Sequence, residues 1–195
     1  MTKHKLKRTK VFGIGMPKTG TTSLGFCFKQ LGYKHHSYNM KLAAEVCRGE
    51  RTNALKVAEK YESFEDWPWF LIFKELDRKF PNSKFVLTVR KDTQAYISSL
   101  EKHHQREGRF TPHYKKPAWY DDIWPDEGDG PNYNEFMEKY EKHNQEVINY
   151  FKDRPEDLKV LCWETGDGWE ELCSFLNMEA PNIKFPHKNA AKNFK

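Results

Sequence analysis

Apolar positions along the chain alternate between short continuous runs and helical repeats. Val11–Gly15 is a brief apolar run between Lys10 and a Pro-Lys-Thr-Gly turn, which predicts a buried first strand. Lys84–Arg90 and Leu158–Trp163 read as two further buried strands. Between them the period changes to that of a helix. Leu24, Phe26, Cys27, Phe28 and Leu31 predict a helix from Thr21 to Leu31, closed by Gly32. Met40–Cys47 and Thr52–Tyr61 read as surface helices, and Trp69–Phe80 as another, after Pro68. Asp92 is placed to cap a helix running to about Gln105. Tyr133–Phe151 is amphipathic, and Trp169–Leu176 closes the series, with Asn177–Lys195 irregular. Residues 108–132 hold most of the mid-chain Gly, Pro and Trp and read as a long ordered loop or lid. Strands alternating with helices predict a three-layer α/β/α fold: a short parallel sheet covered on both faces, with a P-loop-like strand-turn-helix at its start.

Composition narrows this picture. A chain of 195 residues suits one domain and can bury a core without disulfides or metal. The +5 net charge is carried by one end, since Lys3, Lys5, Lys7, Arg8 and Lys10 face no acid among the first ten residues. Without them, 28 basic residues balance 28 acidic ones. Residues 1–10 are thus expected to be a basic disordered leader and 11–195 a single domain. The basic pI describes a tail rather than a nucleic-acid-binding surface, so no nucleic-acid partner is expected. No apolar run approaches the length of a membrane span. Cys27, Cys47, Cys162 and Cys173 form no CxxC pair and sit in apolar-patterned segments. They read as reduced thiols of a cytoplasmic protein.

The chemistry concentrates in Gly13-Ile-Gly-Met-Pro-Lys-Thr-Gly-Thr-Thr-Ser23, between the first strand and the first helix. Such a turn aims backbone N–H groups and the positive end of a helix at one spot. Gly20 allows close approach of an anion, Thr21 and Thr22 add hydroxyls, and Lys18 adds a full positive charge. A nucleotide phosphate is the natural ligand, against the plainer reading of an ordinary tight turn. The loop is not a Walker A motif, whose lysine follows the last glycine directly; here Lys18 precedes Gly20 and follows Pro17. The order Pro-Lys-Thr-Gly-Thr-Thr instead resembles the 5′-phosphosulfate loop of sulfotransferases that use 3′-phosphoadenosine 5′-phosphosulfate (PAPS).

In those enzymes a strand ends in an arginine, a serine follows eight residues later, and together they hold the donor's 3′-phosphate. Here Lys84-Phe-Val-Leu-Thr-Val-Arg90 is the strand, and Ser98 lies at that spacing. Phe64-Glu-Asp-Trp-Pro-Trp69, Phe73-Lys-Glu-Leu76, Gly168-Trp169-Glu170 and Phe185-Pro-His-Lys-Asn189 extend the resemblance, to a less-studied branch, over about residues 10–190. Three departures are visible. Ser23 stands where the cytosolic enzymes carry an adenine-stacking tryptophan. An Arg-Lys-Gly phosphate clamp is missing, with His187, Lys188, Asn189 and Lys192 in its neighbourhood. A Lys-x-His-Leu-Pro segment, whose histidine is the general base, is replaced by Glu65-Asp66-Trp67-Pro68.

The resemblance implies in-line sulfuryl transfer from PAPS to a hydroxyl or amine of a small-molecule or glycan acceptor, with no metal required. It implies that Pro17, Lys18, Thr19, Gly20, Thr21, Thr22 and Ser23 line the 5′ site, and that Arg90, Ser98 and Lys188 bind the 3′ side. Lys18 neutralises the leaving group. Asp66 is the expected base, with His36 as competitor; the rival role for Asp66 is a helix cap. Two other functions share the pattern: a P-loop nucleotide kinase or NTPase, disfavoured by the lysine placement, and a non-catalytic PAPS-binding protein.

Overall fold

The computed structural model describes residues 8–107 and 133–186. Strands β1 (Val11–Gly13), β2 (His35–His36), β3 (Ser63–Phe64), β4 (Lys84–Thr88) and β5 (Leu158–Leu161) form one sheet in the order β2-β3-β1-β4-β5. Every neighbouring pair is parallel. The helices are α1 (Thr21–Gln30), α2 (Met40–Cys47), α3 (Thr52–Lys60), α4 (Phe73–Lys79), α5 (Thr93–Glu107), α6 (Tyr133–Phe151) and α7 (Trp169–Leu176).

Successive residues of a strand face opposite sides, and here they divide into two cores. Val11, Val86 and Leu161 join Leu24, Cys27 and Phe28 of α1 and Leu172 and Cys173 of α7. Phe12, Phe85 and Leu87 join the larger core on the other face, with α2 to α6. Phe12 stacks between Phe64 and Phe85, at ring-centroid distances of 4.8 and 5.4 Å, so aromatic rings run across three adjacent strands. The fold is therefore the expected three-layer α/β/α arrangement.

The structure departs from the sequence reading in several places. The sheet has five strands where three were expected, because β2 and β3 are two residues each and owe their state to pairing, β3 with β1 and β2 with β3. The predicted helix 69–80 divides into a 3₁₀ turn, Trp69–Ile72, and α4. β5 stops at Leu161, and Trp163 begins a 3₁₀ turn, Trp163–Thr165. Two leader charges belong to the fold instead. Arg8 donates to the Leu31 carbonyl at 2.9 Å and lies over the Tyr33 ring. Lys10 is buried, its ammonium donating to the Ala58 and Tyr61 carbonyls beside Phe64 and Phe80. Those carbonyls supply the partners that burial of a charge demands. Lys3, Lys5 and Lys7, the 108–132 segment with its lid reading, and Lys188 lie outside the described residues. Cys27, Cys162 and Cys173 are buried free thiols, while Cys47 is only partly buried. No helix among the described residues is long and apolar enough to cross a membrane.

Gly15, between β1 and the turn, lies hard against the end of β4. A Cβ there would fall 2.5 Å from the Thr88 carbonyl oxygen and 2.8 Å from Thr19 Oγ1. Gly15→Ala is expected to force the strands apart at a cost of about 3 kcal/mol. For a domain of this size the melting temperature falls by about 6–12 °C, measurable by differential scanning calorimetry. A melt within a degree of the parent would show that the turn can yield.

Candidate active site

The turn between β1 and α1 is braced from inside by its own side chains. Thr19 is buried, and its hydroxyl donates to the Met16 carbonyl at 2.7 Å while meeting Thr88 Oγ1 at 2.7 Å. Its hydroxyl therefore supports the loop from behind. Gly20 caps α1 with φ +96°, in the left-handed region that glycine adopts without penalty. The indole of Trp163 closes over it: Nε1 donates to the Gly20 carbonyl at 3.2 Å, and a Cβ on Gly20 would lie 2.5 Å from that nitrogen. Ser23 is buried, whereas Thr22 is exposed at the first turn of α1. The opening N–H groups of a helix have no acceptor within it, so this end attracts negative charge.

Asp66 and Lys18 are the two candidate catalytic groups, and both adopt left-handed backbone, with φ of +69° and +77°. Such strain in non-glycine residues costs on the order of 1–3 kcal/mol each and concentrates at functional sites. Asp66 follows β3 and meets α1 directly: Oδ2 accepts from the Thr21 hydroxyl at 2.9 Å, and Oδ1 from the Trp67 N–H at 2.8 Å. Thr21 thus directs its hydroxyl to the carboxylate. Burial, aided by the neighbouring Glu65 charge, pushes the Asp66 pKa up to about 6, against the pull of the Trp67 N–H, the Thr21 hydroxyl and the Lys18 charge. The helix-cap alternative is not its geometry. Its side chain caps no helix, and the following 3₁₀ turn has Pro68 at its N-cap with no side-chain bond.

His36, the competitor, sits elsewhere. It is walled by Tyr61, Phe64 and Trp69, at centroid distances of 4.8, 6.5 and 5.4 Å, and burial lowers its pKa. A lowered pKa keeps it neutral, but its contacts are aromatic. The histidine next to Asp66's neighbour is His35, whose Nε2 lies 3.5 Å from the buried Glu65 carboxylate and whose Nδ1 meets Ser63 Oγ at 2.9 Å. Ser37 also donates to Glu65.

Arg90 emerges just past the end of β4, at the carboxyl edge where open α/β sheets bind ligands. Its Nε donates to the Lys18 carbonyl at 2.7 Å, tying it to the turn. One terminal nitrogen donates to Ser99 Oγ at 2.7 Å and the other to Glu164 Oε1 at 2.8 Å. The hydroxyl that Arg90 reaches is thus Ser99, one residue beyond Ser98, because a helix turns about 100° per residue and only one of two adjacent serines can face it. Tyr140, stacked on Tyr96 at 4.1 Å, holds the Arg90 N–H with its phenol oxygen at 2.9 Å.

Sequence reasoning missed Thr88, Ser99, Trp163 and Glu164. The last two carried a usable signal, since they follow β5 as Arg90 follows β4, and residues just past parallel strands gather at one edge. Among the described residues no three His, Cys, Asp or Glu side chains are grouped to hold a metal ion.

A sulfotransferase from Alicyclobacillus acidocaldarius superposes with a TM-score of 0.58 at 16% identity, covering 91% of this chain and 84% of that one. A curated relative, "Ava biosynthesis cluster protein M" of Aspergillus versicolor, is 24% identical over 216 residues, covering 91% of this chain and 80% of its own. The family model described as "Sulfotransferase domain" matches residues 10–194, and on that match the chain belongs to the sulfotransferase-domain family.

Proposed function

We propose that the protein transfers a sulfuryl group from PAPS to a hydroxyl or amine of a small-molecule or glycan acceptor. One observation carries the reading: Asp66 and Arg90 are both bonded to the turn itself, one through the Thr21 hydroxyl and the other through the Lys18 carbonyl. A proton acceptor and two anion sites therefore share one surface. The residues suit a doubly phosphorylated donor, because the Arg90 fork already holds an anion, the Glu164 carboxylate. In this reading the α1 N-terminus, Gly20 and Thr22 bind the 5′-phosphate, while Arg90 and Ser99 bind the 3′-phosphate. Trp163, over Gly20, supplies an aromatic surface beside the nucleotide.

Sulfuryl transfer leaves the protein the work of alignment and charge stabilisation. Asp66 takes the acceptor's proton as the acceptor bonds to sulfur. Lys18 sets its ammonium beside the phosphate oxygen whose bond to sulfur breaks, stabilising charge that grows in the transition state. A carboxylate near pKa 6 is mostly ionised at neutral pH, yet basic enough to accept that proton.

Three experiments test this. 3′-Phosphoadenosine 5′-phosphate (PAP) at about 100 times its dissociation constant should add ~2.7 kcal/mol to stability, with adenosine 5′-phosphate at the same concentration adding far less. Equal thermal shifts would remove Arg90 from the nucleotide site, and stabilisation by ATP with Mg²⁺ alone would favour a kinase.

Lys18→Ala should depress kcat more than it weakens PAP binding. Unchanged kcat at saturation with lost affinity would assign Lys18 to binding only.

Asp66→Asn should lower turnover by about 10²–10⁴-fold while PAP still stabilises the protein, with His36→Asn costing less. Asp66 acts in its ionised form, so kcat/KM should rise with pH through about 6 and then level, and Asp66→Asn should erase that limb. A parent profile flat from pH 5 to 7 would place the base elsewhere, and PAP binding without turnover on any acceptor would leave a non-catalytic PAPS-binding protein.

A further inference from the structure

Glu164 makes two bonds at the mouth of the site, and both are to donors that suit a phosphate. Oε1 accepts from an Arg90 terminal nitrogen at 2.8 Å, and Oε2 accepts from the Lys91 backbone N–H at 3.0 Å. Ser99 supplies a hydroxyl on the second Arg90 terminal nitrogen. A guanidinium, a main-chain N–H and a hydroxyl at a strand end form a site for a tetrahedral oxyanion. The occupant is a carboxylate from the chain's own Trp163–Thr165 turn.

The rest of the Arg90 fork is committed. Its Nε is bonded to the Lys18 carbonyl, so the guanidinium cannot swing toward a ligand without releasing the turn. Glu164 has no such tether. Its side chain is about one-third exposed, and both its partners lie across the mouth from its own turn. Of the groups here, it is the one free to leave.

We propose that Glu164 is a built-in competitor for the 3′-phosphate subsite: its carboxylate competes with the donor for Arg90 and the Lys91 N–H and is displaced when the donor binds. This rests on the PAPS reading above and adds a regulator to it. A binding site held by an internal ligand shows an apparent affinity reduced by the fraction of molecules in which it is open. Displacement also sets a carboxylate beside the bound phosphate, ready to retake the fork as PAP departs. Glu164 therefore weakens product retention and favours release.

The test is titration calorimetry of the full chain and of Glu164→Gln, with PAP and with adenosine 5′-phosphate. Glutamine keeps the shape and one acceptor while removing the charge. Because the pair is partly exposed, its removal should tighten PAP by about 3- to 5-fold. Adenosine 5′-phosphate, which lacks the 3′ group, should change by less than about 2-fold. Tightening that appears only for PAP supports the proposal, as does PAP binding seen in Glu164→Gln alone. Equal tightening of both nucleotides would overturn it in favour of a general field effect. Unchanged or weaker PAP binding would overturn it too, making Glu164 a positioner of Arg90. Failure of both proteins to bind PAP would instead strike the PAPS reading, and this proposal with it.

Discussion

The whole site hangs on the fit between the β1–α1 turn and the end of β4. Thr88 is fully buried there, pressed against Gly15 and joined by its hydroxyl to Thr19. That contact exists only in one register, the one in which Gly13 pairs with Val86. A slip of one residue would exchange the faces of β4, putting Val86 in the larger core and removing the hydroxyl from Thr19. Phe85 and Leu87 facing one core and Val86 the other thus fix the loop as surely as the loop's own glycines do. His143 adds a further brace, its Nε2 2.7 Å from the Ile14 carbonyl.

Two carboxylates stand side by side after β3 and face different surroundings. Glu65 is buried, with His35 and Ser37 around it. Asp66 turns to Thr21 and feels the Glu65 charge as an addition to its own burial. The result brings an aspartate, ordinarily near 3.8, to about 6, close to the 6.5 of an ordinary imidazole. An aspartate in these surroundings thereby reaches a proton affinity similar to that of an imidazole.

Much of the scaffold was legible because it is periodic. β1, β4, β5 and the helices carry their patterns over enough residues to be read, and the turn combines glycines, a lysine and threonines in a recognisable order. His35–His36 and Ser63–Phe64 carry no such pattern, since a two-residue strand is defined by its neighbours and not by its composition. Which side chains the turn keeps for itself was equally hidden. Thr19 and Thr21 look alike in sequence, yet one hydroxyl faces Thr88 and the other Asp66. The same holds for Ser98 and Ser99, which differ only by one helical step. Glu164, far along the chain, could be assigned to Arg90 only once β4 and β5 were known to be neighbours.

The bond from Arg90 Nε to the Lys18 oxygen joins a side chain to main chain, which gives position 18 two separable properties. The ammonium belongs to lysine, but the carbonyl belongs to whatever residue stands there. The spacing between the turn and the arginine is accordingly written into the backbone and survives exchange of the side chain. Charge at this position and the spacing between the turn and Arg90 can therefore be inherited, lost or engineered independently.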